Sequence, residues 1–91
     1  MQTYKVWPTF NIRMKALGFS CDQTGGGCRA YIKTLDDTRY VMVTDRDGCG
    51  VDRIGPDDWL VGLYDENGEV SMHYADGGSI DAALRAVGVQ L

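Results

Sequence analysis

The sequence predicts one α+β domain: a four-stranded antiparallel sheet of two hairpins, packed by a C-terminal helix, with a shorter helix near the N-terminus, in the order α-β-β-β-β-α. Three observations lead there. Two pairs of alternating apolar runs are each joined by a turn signal. Two segments, one towards each end, carry apolar residues at helical spacing. The chain has 91 residues, 44% hydrophobic and 24% charged, enough for one ordinary core and no more.

The first helix is read in Thr9–Phe19. Phe10, Met14 and Leu17 recur at i, i+4 and i+7, Thr9 or Asn11 is placed to cap the start, and Gly18 to end it. Cys21 to Cys28 then reads as an irregular glycine loop. Residues 29–35 and 38–44 form the first predicted hairpin through a two-residue Asp36-Asp37 link, which pairs Ile32 with Val41 and Tyr31 with Met42. Residues 45–58 hold three glycines and a proline and read as a polar crossover. Residues 59–65 and 69–75 form the second hairpin. Its Asn67-Gly68 turn sets Trp59, Val61, Leu63, Val70, Met72 and Tyr74 on one apolar face. Ser79 caps the last helix, whose stripe is Ile80, Ala83, Leu84 and Val87; Asp81 suits its positive end and Gly88 closes it.

The charge is unevenly placed. Residues 1–35 carry five basic groups against the single acid Asp22; residues 36–91 carry four arginines against twelve acids, and the net charge is −4. A duplex-DNA binder needs a basic footprint to displace counterions, so direct nucleic-acid binding is not expected. No apolar run approaches the ~20 residues of a membrane span, and residues 1–10 are too polar for a secretory signal, which predicts no membrane partner and a cytoplasmic protein. Cys21, Cys28 and Cys49 form an odd set and are expected to be reduced thiols; the bridge weighed against that spans the loop from Cys21 to Cys28.

No catalytic residue, metal ligand or cofactor is assigned. Asp45-x-Asp47-Gly48 opens like a calcium loop, but Cys49 and Pro56 stand where oxygen ligands are needed. Cys21, Cys28, Cys49 and His73 lack the close pairing of structural zinc sites. Cys28 after three glycines, with His73 as base, gives a small Cys/His-dependent enzyme or zinc protein as the alternative reading. The ordinary reading of a free cysteine is a small buried hydrophobe.

The predicted outer sheet face, with Tyr31, Tyr40, Met42, Leu60, Tyr64 and His73, is too aromatic for plain solvent. Either the N-terminal segment with Tyr4, Trp7 and Phe10 covers it, or it is a contact surface, for which tyrosine offers large area at low entropy cost. The loop 45–58 has five acids against two arginines. In size, acidity and lack of a catalytic motif the chain is similar to small phage or mobile-element accessory proteins, including anti-CRISPR inhibitors. That resemblance implies a protein of the host cytosol that occupies a basic, nucleic-acid-binding surface of a larger complex. The leading expectation is thus a non-enzymatic, acidic protein-binding module. Its partner-binding residues are Asp45, Asp47, Asp52, Asp57 and Asp58 in the loop, and Tyr31, Tyr40 and Tyr64 on the face. A third reading is a homodimeric regulatory domain joined through the tyrosine face.

Overall fold

Helix α1 spans Phe10–Ala16 in the computed structural model, which describes residues 10–91. Strands follow at Ser20–Gly25 (β1), Cys28–Thr34 (β2), Tyr40–Thr44 (β3), Leu60–Asp65 (β4) and Gly68–Tyr74 (β5); a short 3₁₀ turn at Ala75–Gly77 leads into helix α2, Ile80–Ala86. The strands form one antiparallel meander in the order β1-β2-β3-β4-β5. The α+β class is as the sequence predicts, but among the described residues the sheet has five strands rather than four.

The extra strand is β1, which the sequence reading leaves as a loop. Ser20-Cys21-Asp22-Gln23-Thr24-Gly25 has no apolar alternation, and most of it is exposed. Among the described residues it pairs with β2 alone, at the edge of the sheet. Its turn is Gly26-Gly27, with φ of 62° and 82°. Two left-handed residues in succession match the twist of a tight hairpin, and glycine adopts them without a Cβ clash.

Both helices pack on one face of the sheet. Phe10 and Met14 of α1, and Ile80, Ala83 and Leu84 of α2, share a single core with Tyr31, Val41, Val43, Val61, Leu63 and Trp59. Each helix ends in the same way. Phe19 N–H bonds to the Met14 carbonyl and Gly18 N–H to that of Lys15; Val89 and Gly88 repeat the pattern on Leu84 and Arg85. This double closure satisfies the last carbonyls and turns an apolar residue, Phe19 or Val89, back into the core. The Ser79 hydroxyl accepts from Ala82 N–H as the predicted cap, and Arg13 of α1 pairs with Asp81 of α2 at 2.7 Å. The candidate cap Thr9 lies outside the described residues.

Two registers differ from the predicted ones, and each moves side chains across the sheet. The β2–β3 link is one residue longer than Asp36-Asp37. Leu35 N–H bonds to the Arg39 carbonyl, and Asp36 Oδ1 accepts from the N–H groups of Thr38 and Arg39. That aspartate turn pairs Tyr31 with Val43 and Ile32 with Met42. Because side chains alternate with period 2, the slip carries Tyr31 into the core and Ile32 to the opposite face. In the second hairpin the tight turn is Glu66-Asn67, since Asp65 pairs with Gly68, and Val70 is an extra residue between Glu69 and Ser71. Leu63 therefore pairs with Ser71 and Val61 with His73, while Met72 and Tyr74 join Gly62 and Leu60 on the face away from the helices.

Gly68 follows that turn with φ of 111°, and no side chain or backbone atom surrounds its missing Cβ. Gly68→Val is thus expected to cost on the order of 1–3 kcal/mol through backbone strain alone. An unchanged urea midpoint would contradict this account of the turn.

Candidate functional site

The helices leave the second face of the sheet open. Among the described residues no helix lies over it. Register places Ile32, Tyr40, Met42, Gly62, Tyr64, Met72 and Tyr74 on this side, across four strands. Most of these side chains are half-buried by one another, and Tyr74 is 42% exposed. Tyr40 and Tyr64 are direct cross-strand partners whose rings stack at 5.3 Å, 13° from parallel. Burial holds the Tyr64 hydroxyl above its ordinary pKa, and the nearby Glu69 adds to this. Gly62 makes the arrangement fit. A Cβ there would lie 2.8 Å from Tyr64 Cε1 and 2.9 Å from Met72 Sδ, so both side chains fold flat across a glycine hollow.

The structure separates the predicted contact residues. Tyr40 and Tyr64 sit together on the open face. Tyr31 does not: it is 5% exposed on the helix side, its ring edge-on to Phe10 at 5.6 Å and its hydroxyl donating to Asn11 Oδ1 at 3.0 Å. His73 is likewise on the helix side, in a cleft with Trp59, Ser79 and Ala83. Phe10 belongs to the core, while Tyr4 and Trp7 lie outside the described residues.

The acidic loop is also divided. Asp47, Asp52 and Asp57 are exposed. Asp45, predicted to bind the partner, is only 7% exposed, and its carboxylate accepts from Cys49 N–H inside a turn closed by Asp45 N–H to the Gly50 carbonyl. Asp58 accepts from Arg46 N–H. This loop leaves β3 at Thr44 and enters β4 at Leu60, the end of the sheet opposite Tyr40 and Tyr64. A five-residue strand separates the two regions by roughly 13 Å.

At the tyrosine end lies a group of acids that the sequence reading passed over. The 35–39 loop and the 65–68 turn flank a cleft lined by Ile32, Thr34 and Tyr40 from the face and by Asp36, Asp37, Asp65 and Glu66 from the tips. Glu69, the partner of Tyr64, adds a fifth carboxylate. Arg39, the one cation there among the described residues, is held by Asp36 at 2.8 Å. Among the described residues, no cation pairs with Asp37, Asp65, Glu66 or Glu69. The signal was present in the chain: both hairpin links are acidic, and alternate turns of a meander fall at the same end.

Asp36 itself is structural. The Thr38 N–H bond first, then the Arg39 guanidinium, pull its pKa down to about 2. A carboxyl whose folded pKa lies below the unfolded value stabilises the fold above that unfolded value, and the contribution is lost as pH falls through the folded one. The turn is thus expected to loosen between roughly pH 4 and pH 2. An NMR titration should give Asp36 a midpoint near 2, and Arg39→Ala should raise it only part of the way, because the Thr38 donor remains. A midpoint in the ordinary carboxylate range in the unmodified chain would contradict the turn.

The cysteines depart from expectation. Cys28 and Cys49 form a disulfide, and Cys21 is the free thiol. Neither the reduced set nor the Cys21–Cys28 bridge is found. The reason is topological: β1 and β2 run as paired strands with Cys21 opposite Tyr31, while Arg29 N–H bonds to the Cys49 carbonyl and draws the crossover loop against the start of β2. Cys28 thus carries no thiolate for the alternative nucleophile. Among the described residues no group of three or more His, Cys, Asp and Glu side chains is placed to hold a metal ion, and no helix is long and apolar enough to cross a membrane.

Comparison with protein-family models, curated proteins and solved structures finds no match for this chain. The class it defines is therefore the one its own geometry gives: a small α+β meander with helices on one face and an aromatic second face bordered by acids.

Proposed function

We propose that this chain is a non-enzymatic protein-binding module whose open sheet face contacts a partner bearing a basic surface. The observation that carries the reading is the Tyr40–Tyr64 stack, set among Ile32, Met42 and Met72 on a face that no described helix covers. Such residues form the apolar centre of an interface, and a rim of one sign selects the partner and raises its on-rate. The acidity opposes direct contact with a phosphate backbone and suits a protein that itself binds nucleic acid. The general likeness to phage-borne inhibitors supports an inhibitory role on such a protein.

The test is capture from a prokaryotic lysate with immobilised wild-type chain and with Tyr40→Ala/Tyr64→Ala, at low and high salt. A partner bound by the wild type, lost with the double variant and released by salt supports the reading. If the double variant, folded to the wild-type thermal midpoint, captures the same proteins, the face is not the interface.

A further inference from the structure

Resting on that reading, we infer that the occupant of the open face is an extended arginine- or lysine-rich segment of the partner, docked with its cationic groups between the two acidic hairpin tips. Such a segment and this surface are chemically complementary. The surface is apolar and aromatic along its middle and acidic at one end, and the two zones meet in a single cleft shared by Ile32 and Tyr40 with Asp37, Asp65 and Glu66. Arginine and lysine have the same build, an apolar stem carrying a cationic head. The stem lies on the sheet while the head reaches the carboxylates, and a guanidinium also stacks on tyrosine.

The end at which this happens follows from the charge already spent within the fold. In the 45–58 loop, Asp45 and Asp58 are bonded to backbone N–H groups, and Arg46, which pairs with Asp76 beyond the loop, and Arg53 stand among the exposed Asp47, Asp52 and Asp57. At the tips, among the described residues, the only cation is Arg39, which is bound to Asp36. The tips thus present the more uniform negative field, and a field of one sign acts collectively on a multiply charged ligand. A second copy of this chain would bring a molecule of the same net charge of −4 against that field, and an anion would be repelled.

The experiment is an NMR titration of the full-length ¹⁵N-labelled chain with an eight-residue oligoarginine peptide, beside a neutral Gly-Ser peptide of equal length. Shifts are expected in residues 32–40 and 62–72, with the neutral peptide silent. Asp37→Asn/Asp65→Asn/Glu66→Gln should weaken binding by roughly tenfold, since each exposed charge is worth about a factor of two and the three act together. Asp47→Asn/Asp52→Asn/Asp57→Asn, which removes the same charge, should change it by about twofold or less. Equal loss in the two variants, or a larger loss in the second, overturns the inference, as does the absence of binding. Binding that appears only in Tyr4→Ala/Trp7→Ala assigns the face to the chain's own N-terminal segment. Face shifts that grow with protein concentration, without peptide, assign it to a second copy. Either result overturns the inference. Capture that depends on Tyr40 and Tyr64 while the peptide fails would leave the interface standing and remove only the cationic segment.

Discussion

Leu84→Ala is expected to lower the unfolding free energy by about 2–5 kcal/mol, measured as a shift of the urea midpoint. Leu84 has no exposed surface and sits in the middle of the seven-residue helix α2, which reaches the core through Ile80, Ala83 and Leu84. So short a helix is not stable by itself and is held by the face it buries. Truncating Leu84 removes apolar contact and leaves a cavity in a core where Val61 and Met14 are themselves fully buried and held by the sheet and the other helix. Ile12 is the control. It lies on the outer side of α1 at 69% exposure, and Ile12→Ala should stay within about 0.5 kcal/mol of the parent. A Leu84→Ala variant as stable as Ile12→Ala would mean that α2 does not pack on the sheet.

Breaking the Cys28–Cys49 bridge should cost about 3 kcal/mol. The two residues are 21 apart in sequence, and a cross-link closing a loop of that size removes a corresponding share of the unfolded chain's freedom. The double variant Cys28→Ser/Cys49→Ser and the reduced parent should lose stability by similar amounts. Both should keep the native fold, because Ile54, with no exposed surface, still anchors the crossover loop in the core and Arg29 N–H still bonds to the carbonyl of residue 49. Alkylation under native, non-reducing conditions followed by mass measurement gives an independent check. At most one label is expected, on Cys21, rising to three after denaturation with a reductant. Three labels on the native oxidised protein, or a midpoint indifferent to reductant, would contradict the pairing.

Much of the candidate face could be read in the sequence, but with two of its strands, β2 and β5, turned to the wrong side. Tyr40, Met42 and Tyr64 fall together on alternation within their strands, and the structure keeps them together because β3 and β4 pair without irregularity. Counting across the turns adds Tyr31 to them and sends Ile32 and Met72 to the other side. The alternation within a strand is local and survives any error elsewhere. Which side of the sheet it faces depends on the number of residues in the connecting turn. Asp36 lengthens one turn by capping Thr38 and Arg39, and the extra Val70 shifts the other. One residue in either place turns a whole strand over.

What the sequence determined by itself is what local periodicity and capping encode: the two helices, with the Ser79 cap and the buried stripe of Ile80, Ala83, Leu84 and Val87, the four apolar strands and the α+β class. These follow from neighbours three or four residues apart in a helix and two apart in a strand. The tertiary structure decided the rest. It recruited the polar β1 as an edge strand, which needs only one hydrogen-bonded neighbour and no apolar pattern of its own. It joined Cys28 to Cys49 across the crossover. It also brought Asp36, Asp37, Asp65 and Glu66 to one end of the sheet, because each return of a meander restores the direction of the chain. These outcomes depend on residues far apart in sequence that meet only when strands are laid side by side, and no local pattern carries that information.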